Sequence, residues 1–162
     1  MENKVFHTFG AFYNRDSEIL ILGSMPSVKS RELGFYYMHP QNRFWQILSI
    51  VFNESIGNTI DDKKKFLSKH KIALWDVIQS CEISGSSDSS IKNVIVNDIK
   101  SIIDKSKIKY IYCTGKKSFE LYNKFCFKTT NVSAVCLYSP SPANCAIPLD
   151  KIVENYKVIN KK

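Results

Sequence analysis

The 162-residue chain predicts an α/β three-layer sandwich around a mostly parallel four-stranded sheet, and three observations carry that prediction. Short apolar runs rich in β-branched and aromatic residues recur along the chain. Between them lie stretches whose apolar residues repeat at helical spacing, and strands alternating with helices build a parallel sheet with helices on both faces. Two of the strand runs, ending at Leu22 and at Tyr138, pass into Ser/Pro loops. In a parallel sheet both loops emerge on one edge, so one cleft is expected between them.

In chain order, residues 1–16 are mixed aromatic and polar, and Phe6, Phe9 and Phe12 suit a loop or short strand over the sheet edge. Ile19 to Leu22 is the first buried strand, ended by Gly23 and by Ser24, Pro26 and Ser27. From Asn42 to Phe52 the residues Phe44, Ile47, Leu48 and Val51 form one helical face. Asp61 and Asp62 open a basic helix that runs to His70, with acids at its positive end. Ile72 to Trp75 is the second strand and leads straight into Asp76. Cys81 to Ser90 reads as a Gly/Ser/Asp loop of working length. Asn97 is placed to cap a helix reaching Lys105. Ile108 to Cys113 is the third strand, closed by Thr114-Gly115, and a helix follows from Lys117 to Phe125. Val132 to Tyr138 is the fourth strand, and a last helix spans Leu149 to Tyr156.

The length fits one domain over 1–162 with a full core, and 44% hydrophobic with 12% aromatic residues marks an ordered globule. A net charge of +8 favours acidic partners, nucleic acid first, although a lysine-rich solvated surface is the plainer explanation. No run approaches the roughly 18 apolar residues of a membrane span, and the N-terminus has no signal-peptide core. A cytoplasmic monomer is expected. The five cysteines form no C-x-x-C pair, and Cys113, Cys126 and Cys136 sit in apolar surroundings, which suits reduced core thiols and no metal.

Gly115-Lys116 lacks the rest of a phosphate-binding loop, and no G-x-S-x-G or H-E-x-x-H string occurs. Ser24, His39 and Asp76 have the residue types of a hydrolytic triad, yet nothing in their spacing orders them. What remains is an uncharged site of Ser24, Asn42, Ser139, Ser141 and Asn144 beside Phe35, Tyr36 and Tyr37. Amides and hydroxyls read hydrogen-bonding edges and aromatics stack on flat rings.

Gly23-Ser24-Met25-Pro26-Ser27, followed by Gly34-Phe35-Tyr36-Tyr37-Met38-His39-Pro40-Gln41-Asn42-Arg43-Phe44-Trp45, resembles the uracil-DNA glycosylase superfamily. The G-F-x-x-x-H-P-x-N-R-F-W string is shared with the mismatch-specific uracil/thymine branch. With Leu74-Trp75-Asp76-Val77 and Ser139-Pro140-Ser141-Pro142-Ala143-Asn144 added, the chain is most similar to the deoxyinosine (hypoxanthine-DNA) glycosylase branch. Met25 stands where the familiar uracil enzymes have an Asp or Asn, and Ser139 where they have a His.

The resemblance implies a cofactor-free DNA glycosylase acting on DNA that contains a deaminated base. It implies Asn42 as the catalytic amide, orienting water through its carbonyl oxygen. It implies a base pocket from Gly23, Ser24, Met25, Phe35, Tyr36, His39 and Asp76. DNA contacts are expected from Pro26, Ser27, Arg43, Lys116, Lys117 and the run Ser139, Pro140, Ser141, Pro142, Ala143 and Asn144. Lys29 sits among polar loop residues rather than as a Schiff-base nucleophile, so a monofunctional enzyme is expected. Each residue also has a plainer role: Asn42 as a helix cap, His39 as a loop tie, Phe35 and Tyr36 as core, Asp76 as a loop anchor. At the level of function, a mismatch uracil/thymine enzyme and a non-catalytic damage-binding module remain open.

Overall fold

The computed structural model describes residues 3–83 and 91–161. Four strands, β2 (Ile19–Gly23), β3 (Ile72–Asp76), β6 (Tyr110–Thr114) and β7 (Ala134–Leu137), form one parallel sheet in the order β3-β2-β6-β7. All of Ile19–Gly23 is buried, as expected of a central strand covered on both faces.

Alternation along β2 divides the core. Ile19 and Ile21 face the helices α2 (Phe44–Val51), α3 (Ile60–Lys69) and α7 (Leu149–Tyr156) through Phe44, Ile47, Leu48, Leu67, Ile152 and Tyr156. Leu20 and Leu22 face α4 (Ile99–Asp104) and α5 (Lys116–Phe125) through Ile99, Ile102, Leu121 and Tyr122. The three layers follow from that split. Each fully buried Phe, Leu or Ile contributes about 1.5–3 kcal/mol, so α2, with Phe44, Ile47 and Leu48 all at 0% exposure, is firmly seated.

The four parallel strands, the helix Leu149–Tyr156 and the three layers stand as the sequence predicts. A second sheet does not. β1 (Asn3–Phe6), β4 (Ile78–Ile83) and β5 (Lys92–Val96) form an antiparallel sheet ordered β1-β4-β5, entered directly from β3 through Val77. The stretch expected as a loop from Cys81 to Ser90 therefore starts inside β4, and its remainder, 84–90, lies outside the described residues. Phe12 pairs with Leu74 on the edge strand, but Phe6 is in β1 and 56% exposed.

Smaller departures have local causes. Thr59 caps α3 in a capping box with Asp62, so Asp62 is part of the N-terminal cap and not only a favourable charge. Asp98, not Asn97, caps α4 through Ser101; the Asn97 amide is turned inward to the carbonyls of Asp76 and Ile78, at 2.8 and 3.2 Å. A short α1 (Val28–Leu33), capped by Ser27 and ended by left-handed Gly34, interrupts the loop after β2. A four-residue α6 (Phe127–Thr130) follows α5. Cys81 joins Cys113 and Cys126 in the core, whereas Cys136 is only half-buried and Cys145 is exposed. Among the described residues no helix is long and apolar enough to cross a membrane.

Candidate active site

The sheet order reverses direction between β2 and β6, and the crevice at such a switch, beyond the strands' carboxyl ends, is where α/β sheets bind ligands. Gly23, Asp76 and Thr114 end their strands there, and Gly23 is in register with Asp76. A Cβ on Gly23 would stand 2.5 Å from Asp76 Oδ1, 3.3 Å from Tyr37 Oη and 3.6 Å from Thr114 Oγ1. Only glycine leaves room for these polar groups to converge.

The loop after β2 is built rather than slack. Ser27 accepts from Ser30 N–H, and buried Ser30 accepts from Met38 N–H at 2.9 Å. Tyr37 adopts a left-handed φ of 56°, a strain of about 1–3 kcal/mol that persists only where the surroundings hold it. Its ring stacks on Phe44 at 3.9 Å and its hydroxyl meets Thr114 Oγ1 at 3.2 Å. Burial, then the Asp76 carboxylate, pushes the Tyr37 hydroxyl well above its ordinary range, and Tyr36 shifts the same way for the same reasons. Both stay neutral donors. Phe35 and Tyr36 are buried, Tyr36 donating to the Gly10 carbonyl and Phe35 stacking on Trp45. Tyr37 therefore lies nearer the convergence than the Phe35-Tyr36 pair singled out from sequence.

His39 to Asn42 is a turn closed by Asn42 N–H on the His39 carbonyl, and His39 Nδ1 accepts from Gln41 N–H. Asn42 Oδ1 accepts from Phe44 N–H at 2.9 Å, an Asx turn that fixes the side chain at the start of α2. Among the described residues its Nδ2 meets no partner. Both halves of the amide's chemistry persist, because the carbonyl oxygen has a second lone pair.

The next residue joins the two loops. Arg43 N–H donates to the Pro140 carbonyl, and its guanidinium donates to Asn144 and Ile147 carbonyls at 3.1 and 2.8 Å. The second loop braces itself, with Asn144 Nδ2 on the Ser139 carbonyl, Ser141 N–H on Ser139 Oγ and Ala143 N–H on Ser141 Oγ. Pro142 begins a single 3-10 turn through Asn144. Gly115, at φ 105°, lies so close that a Cβ there would meet Ser139 Cβ at 3.2 Å. Lys116 and Lys117 open α5 at that point, with no acid in the first turn.

Of the sequence-chosen residues, Gly23, Asp76 and the two loops thus meet on one edge. Met25 is half-buried against the second core cluster, Pro26 is buried with its carbonyl accepting from Arg31, and Ser27 Oγ serves α1. Sequence reasoning missed His7, whose Nε2 lies 2.7 Å from Asp76 Oδ2. It also passed over Thr114 as a site residue, although its place at the end of a parallel strand was a usable signal.

Three comparisons bear on this arrangement. The model of the uracil DNA glycosylase superfamily matches residues 11–157. Proteins named hypoxanthine DNA glycosylase from Methanosarcina barkeri and Methanosarcina acetivorans are 33% and 35% identical over 114 residues, covering 69% of this chain and 72% of theirs. A solution NMR structure from Methanosarcina acetivorans, described as a candidate uracil DNA glycosylase, superposes with a TM-score of 0.80 at 28% identity, covering 99% of each chain.

Proposed function

We propose that this chain, which belongs to the uracil DNA glycosylase superfamily and is a DNA glycosylase hydrolysing N-glycosyl bonds, releases hypoxanthine from deoxyinosine and leaves an abasic site. The observation that carries the choice of base is the match, over most of their length, to two relatives that bear the name hypoxanthine DNA glycosylase. Met25 in the first loop supports it, because a thioether can neither orient nor deprotonate water in place of the Asp or Asn of familiar uracil enzymes.

A base inside a duplex is out of reach, so the nucleotide is flipped at a cost of a few kcal/mol, least where inosine is poorly paired. Breaking the N-glycosidic bond develops positive charge on the sugar and negative charge on the departing base. Asn42 orients water through the free lone pair of Oδ1, while Nδ2 is available as a donor. An amide cannot deprotonate that water, which suits a dissociative reaction with late attack. Ser139, Ser141 and the backbone near Asn144 hold flanking phosphates, with Pro26, Ser27, Lys116 and Lys117 at the margin. Lys29 lies on α1 within 3.9 Å of Glu32, and no Schiff-base step is assigned to it. The whole chain, 1–162, acts as one domain and as a monomer.

The second reading is uracil or thymine mispaired with guanine; the NMR neighbour's description names uracil alone. Duplexes carrying inosine, xanthosine, uracil or a G·T mispair, incubated with enzyme and then hot alkali, separate the two. Inosine preferred by about tenfold, 1.4 kcal/mol at the transition state, is the expected result; cleavage of uracil alone would transfer the assignment to the mismatch branch. Base release under single-turnover conditions would also exclude a damage-binding module, which would bind DNA with steep salt dependence and release no base.

A further inference from the structure

The buried pair His7–Asp76 has no part in the steps above. His7 follows β1 and lies outside the residues, 11–157, that the family model matches. Its Nε2 stands 2.7 Å from Asp76 Oδ2, with the two side chains 2% and 4% exposed. An ionised carboxylate only accepts, so the tautomer that satisfies the pair carries its proton on Nε2. Among the described residues Nδ1 is buried without a partner, and the rings of Phe9 and Tyr36 lie tilted to the imidazole at centroid distances of 4.6 and 5.9 Å. Among the described residues, Asp76 is the polar side chain that this histidine serves.

Both ends of the pair are also fixed through the backbone. His7 N–H donates to the Gln79 carbonyl at 2.7 Å, and Asn97 holds the Asp76 carbonyl at 2.8 Å. With Oδ2 taken by His7, the other oxygen, Oδ1, lies over Gly23 at the carboxyl ends of the strands, where a Cβ would also meet Tyr37 Oη and Thr114 Oγ1. The carboxylate thus keeps one oriented acceptor at the switch point of the sheet.

We infer that His7 is a positioning residue that aims Asp76 Oδ1 at the ring N–H of a flipped, deaminated base; the inference rests on the reading that such a base is the substrate. Deamination turns adenine's amino group into a carbonyl and puts a proton on N1. An acceptor-only carboxylate meets that N–H in hypoxanthine and an opposing lone pair in adenine. Uracil and cytosine differ in the same way at N3. The pair therefore separates a deaminated base from its parent, and leaves purine-versus-pyrimidine choice to the size of the pocket.

The test uses duplexes carrying deoxyinosine or 1-deaza-deoxyinosine, in which a C–H replaces the N1–H, under single-turnover conditions. Differences in leaving-group reactivity are common to all variants, so only the ratio of the two rates is compared. Relative to wild type, His7→Phe and Asp76→Leu, the second of which has no acceptor at all, should each lower the preference for inosine by about tenfold or more, since a site built around a hydrogen bond rejects an analogue lacking it. His7→Gln, whose amide N–H replaces Nε2–H, should retain most of it. If His7→Phe slows both substrates alike and the ratio stays within about twofold of wild type, His7 is only core and the inference falls. Should His7→Phe fail to fold by circular dichroism, the same ratio for the smaller His7→Ala decides, and a value within about twofold of wild type overturns the inference. Hypoxanthine release with unmoved ratios removes this inference alone; no release by wild type removes the functional reading and the inference together.

Discussion

Arg43 and Asn144 are 101 residues apart, and the guanidinium of the first donates to the carbonyl of the second at 3.1 Å. With further bonds to the carbonyls of Pro140 and Ile147, Arg43 makes the loops after β2 and β7 one rigid piece. Its side chain was expected from sequence to meet DNA; the fold already occupies it, and a phosphate would have to share it. Arg43→Lys should therefore not be conservative, because one ammonium cannot span two carbonyls as a planar fork does. The expected outcome is a loss of about tenfold or more in kcat/KM with little change in the salt dependence of DNA binding. A purely phosphate-binding Arg43 would instead alter the salt slope.

Asn42→Ala removes both the water-orienting oxygen and the turn that opens α2. Loss of a preorganised polar group of this kind costs about 10²–10³ in rate, and loss of a helix-start side chain about 0.5–2 kcal/mol of stability. Single-turnover cleavage together with thermal unfolding separates the two effects. A variant that cuts inosine at the wild-type rate would end the assignment of Asn42.

Gly23→Ala puts a methyl group 2.5 Å from Asp76 Oδ1, among buried groups that have little room to move. Overpacking of that kind costs about 1–3 kcal/mol, and the carboxylate would be displaced from the crevice. Gly10→Ala is the control, since nothing lies within 4 Å of the added carbon. Denaturant midpoints should fall for the first substitution and stay near wild type for the second, with base release lost only in the first.

Cysteine reactivity follows from burial. Cys126 is pushed up to about 11 and Cys113 further still, each by burial first, so both remain thiols at pH 8. The reactive form is the thiolate, whose fraction grows only as pH approaches the raised value. At pH 8 an alkylating reagent followed by peptide mass spectrometry should mark exposed Cys145 first and half-buried Cys136 more slowly. Cys81, Cys113 and Cys126 should label only after unfolding.

The parallel sheet was legible because its strands are continuous apolar runs such as Ile19–Leu22, and because the loops after them carry dense Ser and Pro. The antiparallel sheet was not, because β4 mixes Ser80, Cys81 and Glu82 into its pattern and passes straight on from β3. Asn97 and Asp98 are equivalent cap residues by type; the choice between them was made by the buried carbonyls of Asp76 and Ile78, which no local pattern encodes. His7 was invisible for a related reason. Its partner Asp76 lies 69 residues away, and the segment around it has no periodicity.

Lys116 and Lys117 begin α5 where a side chain on Gly115 would meet Ser139, so their charge and the helix's positive end lie beside the second loop. They face no acid in that turn, an arrangement that weakens the helix slightly and favours a neighbouring anion. Phosphate contacts position without reading sequence, and each one released lowers the slope of log K against log salt by about 0.9. Replacing both lysines with alanine should therefore weaken binding to inosine-containing and undamaged duplexes by the same factor, and flatten the slope by up to about 1.8. Fluorescence anisotropy across a salt series measures both quantities. Weakening confined to the inosine duplex would place these lysines in base recognition instead, and an unchanged slope would remove them from the DNA-binding face.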